Sequence, residues 1–380
     1  MIPVPQQTGC EKWGQEEEKV RIEELDTPAL IIDLDVMERN LQRMAEYCRR
    51  HNLKLRPHTK THKTPELARR QLEGGAIGIT VAKIGEAEVM VGAGLNDILL
   101  AYPVIGASKS NRLAALLERA RVSVSLDSRE AAGWVSQACQ GHTVGVLVEV
   151  DLGMRRCGLP VGSAATRLAR FIDSQPGLRF QGLMFYSGHV HPNYDGNTVT
   201  LERLKSQLSR QRELFEKEKI EVAEISGGST PSAAYSHQLA SLTEIRPGTY
   251  IFNDRNTIEW GVCRAQDCAA SIVTTVVSRA VEGRAIIDGG SKTFSSDGLM
   301  AGKRGGFGLV TDYPGVEFTQ MNEEHGYLEV PPGAPIRVGR RLRVIPNHIC
   351  AAVNMHEVLF GCRGDEVVVE WPVAARGKIR

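Results

Sequence analysis

Over the first two-thirds of the chain, short runs rich in Val, Ile and Leu alternate with longer stretches whose apolar positions recur every three or four residues. The runs predict strands at 53–56, 77–81, 97–101, 122–126, 143–150, 178–185, 222–226 and 242–246. The stretches between them predict helices at 64–73, 84–92, 107–119, 128–138, 161–173 and 197–219. A further strand, 28–33, leads into a helix capped by Asp35, with Met37, Leu41, Met44 and Ala45 at helical spacing. Nearly continuous apolar strands are those of a parallel sheet covered on both faces. Eight strand–helix units imply an N-terminal (β/α)8 TIM-like barrel. The competing open, doubly wound sheet would be signalled by Gly-x-Gly-x-x-Gly after the first strand, and none is present.

Beyond residue 265 the pattern changes to β-branched runs punctuated by Gly and Pro, among them SIVTTVVSRAV, RLRVIP and DEVVVEWPV, which predict a C-terminal all-β domain. The chain therefore reads as a loosely ordered lead-in (1–24), a barrel (25–264) and a β domain (265–380), with strand 28–33 expected to join the latter. Two domains agree with a length of 380 residues, more than one hydrophobic core usually supports.

Lys+Arg 46 against Asp+Glu 45 leaves a net charge of +1, which gives no reason to expect a nucleic-acid or membrane partner. The apolar runs are too short for a membrane span, and the N-terminus lacks the basic and apolar regions of a secretory signal. The eight cysteines are scattered without a Cys-x-x-Cys pair, as in a reduced, cytoplasmic enzyme.

The densest chemistry lies in LKLRPHTKTHK (53–63), where Arg56, His58, Lys60, His62 and Lys63 follow the first barrel strand. Catalytic groups collect at the C-terminal ends of barrel strands. Crowded cations favour the unprotonated amine of a lysine, the form that makes a Schiff base. A solvated basic loop is the plain alternative. ISGGSTPS (225–232) and IRPGTY (245–250) follow the seventh and eighth strands, where barrels often hold a phosphate; both are also ordinary turn sequences. VDLGMRRCG (150–158) ends the fifth strand with Arg155 and Arg156, either of which could face an anion. FYSGHVH (185–191) ends the sixth with Tyr186, His189 and His191, and one of those histidines is expected to be structural. In PNHIC, His348 and Cys350 stand two apart on a predicted strand, so both side chains face one way and can hold a divalent ion, although His-x-Cys also arises by chance.

Together these stretches resemble the alanine-racemase-type (fold type III) family of pyridoxal 5′-phosphate enzymes, in its D-threonine aldolase and D-serine dehydratase branch. The matching residues are DTPALIIDLD (26–35), RPHTKTHK (56–63), VAKIGEAEVM (81–90), DLGMRRCG (151–158), SGGSTP (226–231), TEIRPGTYIFND (243–254), EEHG (323–326) and PNHIC (346–350), in order over nearly the whole chain. RPHTKTHK together with PNHIC is specific to the branch. The resemblance implies that Lys60 is the Schiff-base lysine and that Ser229, Thr230, Gly248 and Thr249 hold the phosphate. It places Arg156 near the ring's phenolic oxygen, Arg246 near the pyridine nitrogen, and His58, Tyr186 and Tyr250 around the cofactor. His348 and Cys350 become metal ligands, and His189 or His191, directly or through water, the base. It further implies a homodimer in which one subunit's β domain closes the other's barrel mouth, so that the metal pair could serve the partner.

The implied substrate is a D-β-hydroxy-α-amino acid. SGGSTPSAAYSH, IDGGSKTFSSD and VEWPVAARGK look more like the aldolases, which points to D-threonine giving glycine and acetaldehyde. The thiol of Cys350 favours zinc, which suits the alternative, D-serine dehydration to pyruvate and ammonia; oxygen ligands would favour manganese or magnesium. A racemase would need a second base such as tyrosine, and Tyr313 and Tyr327 lie in no matching motif. Non-catalytic carriers of the cofactor lack both the β domain and the His-x-Cys pair.

Overall fold

The computed structural model describes residues 20–192, 197–239, 241–299 and 305–380. Residues 1–19 of the expected lead-in lie outside them. No helix among the described residues is long and apolar enough to cross a membrane.

The chain opens with β1 (Ala29–Asp33) running directly into α1 (Leu34–Arg50). The helix cap is Asp33, whose carboxylate accepts from the Val36 amide at 2.9 Å. Asp35, expected in that role, lies one residue inside the helix and pairs with Arg363. Then come β2 (Lys54–Leu55), α2 (Pro65–Glu73), β3 (Ile79–Val81), α3 (Ile84–Gly92), β4 (Asp97–Leu100), α4 (Ala107–Leu117), β5 (Arg121–Leu126), α5 (Arg129–Cys139) and β6 (Val144–Asp151). A two-residue β7 (Leu159–Pro160) pairs only with β6 and is followed by α6 (Ser163–Asp173), β8 (Leu178–Met184), α7 (Asn197–Lys217), β9 (Glu224–Gly227), β10 (Glu244–Ile245) and α8 (Arg255–Glu259).

The eight strands read from the apolar runs form one curled parallel sheet in the order β2-β10-β9-β8-β6-β5-β4-β3. Its two ends meet through backbone bonds from Ile77 N to Leu55 O (2.9 Å), Thr80 N to Pro57 O (2.8 Å) and Thr59 N to Thr80 O (2.9 Å). β2 and β10 are shorter than their apolar runs, because Pro57 and Pro247 have no amide hydrogen with which to continue a ladder. The main core lies between the sheet and its surrounding helices.

Inside the curl, by contrast, much of the packing is polar. Arg56 is buried with its Nε 2.7 Å from Glu244 and an Nη 2.6 Å from Asp97. Glu244 also accepts from the Ser226 hydroxyl at 2.5 Å, and Ser226 accepts from Arg246 at 2.6 Å. Arg56, although within the basic run, is therefore a lumen residue. Glu224 sits beside this chain, and burial, followed by the charge of Glu244, pushes its carboxyl up to about 6. A raised carboxyl contributes stability that is present at low pH and lost as pH rises through the folded value. Glu224→Gln is expected to leave the thermal midpoint near pH 5 almost unchanged and to raise it at pH 8 by about 3 °C. Melting curves at the two pH values check this; an equal shift at both would contradict it.

The C-terminal half contains β11 (Ala270–Ser278), β12 (Arg284–Ile287), α9 (Ser291–Phe294), β13 (Gly308–Val310), β14 (Glu317–Met321), β15 (Gly326–Glu329), β16 (Arg341–Pro346), α10 (Ile349–Met355), β17 (Val358–Arg363) and β18 (Glu366–Pro372). Strands β12-β15-β14-β13-β16-β11 are antiparallel, and a further β11–β12 pairing closes them into a six-stranded barrel around a second core. β1 pairs antiparallel with β11 and parallel with β17, so a strand from near the described N-terminus lies within this sheet.

Candidate active site

The C-terminal ends of the parallel strands face a cavity of about 430 Å³, walled on its far side by residues from the start of α10. Lys60 lines it from the turn after β2. That turn is held by Thr59, whose hydroxyl donates to Thr80 O (3.1 Å) and whose carbonyl accepts from Lys63 N (2.7 Å). The other members of the basic run face elsewhere or are held neutral. Lys63 is buried against Glu86 at 3.0 Å. His62 is fully buried with Nε2 3.2 Å from the Gln71 side chain, and burial holds it at about 4. His58 lines the cavity, and burial, then the charges of Lys60 and Arg246, keep its imidazole well below the ordinary value.

Ser229, Thr230, Gly248 and Thr249 line the cavity as well. A Cβ at Gly248 would come within 2.8 Å of Thr61 Oγ1 and 3.0 Å of His58 O, so only glycine lets this loop lie so close to the lysine turn. The amides of Thr230, Gly248 and Thr249 have no hydrogen-bond acceptor among the described residues, whereas the neighbouring Tyr250 amide donates to Thr230 Oγ1 at 3.1 Å. Ser229 is braced from behind by Ser232, whose hydroxyl accepts from the Ser229 amide at 3.0 Å. Unpartnered amides in a cavity wall that also carries three Ser and Thr hydroxyls suit a phosphate. Tyr250 itself is not in the cavity lining: its hydroxyl accepts from Gln71 at 3.1 Å and its ring is buried.

Tyr186 stands between two cations, with Lys60 Nζ 5.9 Å and the Arg156 guanidinium 4.8 Å from its ring centroid. Gly188 passes against that ring, where a Cβ would lie 2.5 Å from the ring edge. Of the two adjacent arginines Arg156 lines the cavity, with a guanidinium nitrogen 3.9 Å from Glu149. Arg246 also lines it, buried and fixed to Ser226 and to Phe185 O (2.9 Å).

His189 and His191 are not in the cavity wall. His189 lies against Gly153, and the His191 ring stacks at 5.7 Å on Trp260, which is in the wall. Burial lowers both imidazoles, so both are neutral near pH 7.

His348 and Cys350 do face one cavity, but not as neighbours on a strand. β16 ends at Pro346, His348 is the N-cap of α10, and Cys350 lies in its first turn. The helix is docked by Asp254, a buried residue whose carboxylate accepts from Ile349 N at 3.1 Å and Thr257 N at 2.9 Å. Cys350 Sγ is 3.2 Å from Thr61 Oγ1, one residue from Lys60 of the same chain. The pair thus reaches its own barrel's cavity. His348 Nδ1 is 2.8 Å from Asp297, which leaves Nε2 for a ligand, the usual carboxylate–imidazole arrangement behind a metal-binding histidine. Burial opposes the charge on His348, but Cys350, Asp254 and Asp297 raise it to about 10; burial likewise opposes the Cys350 thiolate, but His348 and Lys60 bring the thiol below its ordinary value. Among the described residues no third His, Cys, Asp or Glu joins them in a metal-binding group. An imidazole and a thiolate suit a divalent ion of zinc's softness whose other positions are left to water or substrate.

Sequence reasoning missed Glu149, Asp254, Trp260 and Asp297. Glu149 had a signal, since it is the one acid inside the apolar run TVGVLVEV. Asp254 closes the TEIRPGTYIFND motif. Asp297 and Trp260 owe their places to tertiary folding alone.

Residues 32–256 match the alanine racemase N-terminal domain family, and residues 269–362 the putative serine dehydratase domain family. The chain is 35% identical over 360 residues to a D-threonine aldolase of Arthrobacter sp., covering 93% of each sequence. A crystal structure of D-threonine aldolase from Filomicrobium marinum superposes with a TM-score of 0.89 at 33% identity, covering 95% of this chain and 99% of that one. The metal-free form of a cysteine-to-alanine variant of D-threo-3-hydroxyaspartate dehydratase gives 0.83 at 32% identity, covering 93% and 99%.

Proposed function

The chain belongs to the alanine-racemase-like family of pyridoxal-phosphate enzymes and is a lyase; from that premise we propose that it is a metal-dependent D-threonine aldolase, cleaving D-threonine and related D-β-hydroxy-α-amino acids to glycine and an aldehyde. The observation that carries this reading is that Lys60 and the His348–Cys350 pair share one cavity of one chain. A β-hydroxy amino acid needs such a site, gripped at its amine on one side and at its hydroxyl on the other.

Pyridoxal 5′-phosphate, when bound, supplies an electron sink for the pair released when a bond to the substrate's α-carbon breaks. Lys60 would hold it through its amine, and Ser229, Thr230, Gly248 and Thr249 would take its phosphate, the last three with the unpartnered amides described above. Arg246 is fixed at both ends of its guanidinium, so its charge faces the cavity without having to reorganise. Tyr186 and Arg156 form a wall beside Lys60. A divalent ion on His348 and Cys350 would supply Lewis acidity at the β-hydroxyl; the D-threo-3-hydroxyaspartate dehydratase variants solved, one at a cysteine and one at a histidine two residues before it, support that assignment. The β-hydroxyl proton leaves through water towards His191 or His189, half-buried imidazoles that partial burial shifts below their ordinary value and so towards the neutral form that accepts a proton. Carbon–carbon cleavage needs that proton removed; dehydration needs the α-proton removed, a task within reach of the Lys60 amine. The likeness of SGGSTPSAAYSH, IDGGSKTFSSD and VEWPVAARGK to the aldolases favours the first. We further place the protein in the cytoplasm as a homodimer.

The test is a panel of D-threonine, L-threonine and D-serine, each with the purified protein, the cofactor and manganese or zinc. Glycine from D-threonine and none from L-threonine is expected. Faster release of ammonia from D-serine than of glycine from D-threonine would assign the protein to the dehydratases.

A further inference from the structure

Residues 261–268 connect α8 to β11 and contain two thiols, Cys263 and Cys268, both free and partly exposed. A single turn between them folds the chain back, through bonds from Asp267 N to Arg264 O (2.9 Å) and Cys268 N to Ala265 O (3.0 Å). The turn is clamped from outside. Asp267 O accepts from Asn40 and Asn253, each at 2.9 Å, and the Asp267 carboxylate pairs with Arg43 at 3.2 Å. Within this frame the two thiols flank one clamped turn; Cys263 Sγ donates to Thr257 Oγ1 at 3.4 Å, and Cys268 Sγ lies 4.0 Å from Arg264 O. A separate cavity of about 170 Å³ opens onto Cys263 and Val262 and gives small solutes access.

We propose that Cys263 and Cys268 form a redox modification site, converted by hydroperoxides into a reversible intramolecular disulfide. The neighbouring Cys268 thiol draws the Cys263 thiol below its ordinary value, whereas burial pushes Cys48, Cys139, Cys157 and Cys362 up. Cys263, the thiol of the two that opens onto this cavity, is the nucleophile. Its thiolate attacks the hydroperoxide: an S–O bond forms, the O–O bond breaks, and the alkoxide leaves as alcohol after taking a proton from water. The Cys268 thiol then attacks the sulfenic sulfur, forming the S–S bond; the displaced hydroxide takes the thiol proton and departs as water. Two thiols and one hydroperoxide give one disulfide, one alcohol and one water.

The modification reaches the active cavity. Thr257 Oγ1 donates to Asp254 O at 2.6 Å and accepts from Asp254 N at 2.8 Å, and Asp254 docks the helix that follows His348. A disulfide removes the proton that Cys263 gives to Thr257. The oxidised enzyme is therefore expected to lose about fivefold in kcat/KM, the factor that corresponds to one hydrogen bond.

The experiment treats the holoenzyme with one equivalent of hydrogen peroxide, blocks remaining thiols with iodoacetamide and digests with trypsin. Cleavage after Arg255, Arg264 and Arg279 places the two cysteines in separate peptides, 256–264 and 265–279. A disulfide-linked pair that dithiothreitol separates, and that Cys268→Ser does not yield, is expected. Recovery of both peptides singly alkylated would overturn the site, whatever the enzyme's substrate. For the coupling, activity should fall on oxidation and return with dithiothreitol in the wild type, but not fall in the Cys263→Ser/Cys268→Ser double variant. An equal fall in the double variant would assign the loss to Cys350 and overturn the coupling.

Discussion

Lys60→Ala is expected to abolish the visible absorption band of the bound cofactor and to lower kcat/KM by on the order of 10⁴-fold. Loss of the side chain removes the amine that holds the cofactor but none of the bonds that hold the turn. Thr59 and its partners Thr80 and Lys63 are untouched, so the backbone at position 60 keeps its place. Circular dichroism should therefore be unchanged, and the phosphate loops should still bind the cofactor weakly and reversibly. Absorbance after gel filtration checks the prediction, and a band that survives in the variant would make Lys60 a bystander.

His348→Ala separates the two halves of the site. Its ring touches Asp297 and Cys350, not the loops at 228–230 and 248–249, so cofactor content should stay at the wild-type level. The bound divalent ion should be lost, and kcat should fall by about a thousandfold, or ~4 kcal/mol of transition-state stabilisation. Metal analysis of the purified variant beside its cofactor absorbance distinguishes the outcomes. Equal loss of cofactor and metal would make His348 a residue that holds α10 in place and nothing more.

Much of the fold was legible because the relevant signals are local. The strands Asp97–Leu100 and Val144–Asp151 are almost unbroken apolar runs, and the covering helices repeat their apolar residues at helical spacing, so there tertiary packing had little to overrule. The errors fall where a distant residue decides. Asp33 caps α1 because β1 enters the helix with no loop, a junction that the pattern does not reveal. His348 and Cys350 line one cavity, but not as neighbours on a strand: the β-rich sequence suggests a strand, whereas Asp254, nearly a hundred residues earlier, takes the Ile349 amide and lets a helix start there. The basic run could not be sorted from sequence either. Arg56 faces the lumen, His62 and Lys63 are buried against Gln71 and Glu86, and only His58 and Lys60 line the cavity; that division depends on how the turn is folded. His189, His191 and Tyr250 share the lesson. A strand end tells where a segment emerges, but not which way its side chains turn once the ladder stops.

The central claim is that the site breaks a carbon–carbon bond in a D-β-hydroxy amino acid, and D-threonine tests it within a single substrate. The same molecule yields glycine and acetaldehyde on retro-aldol cleavage, but 2-oxobutanoate and ammonia on dehydration. Proton NMR of D-threonine with the holoenzyme and its metal records both routes at once. The account predicts glycine and acetaldehyde appearing together in equal amounts. 2-Oxobutanoate with no glycine would contradict it.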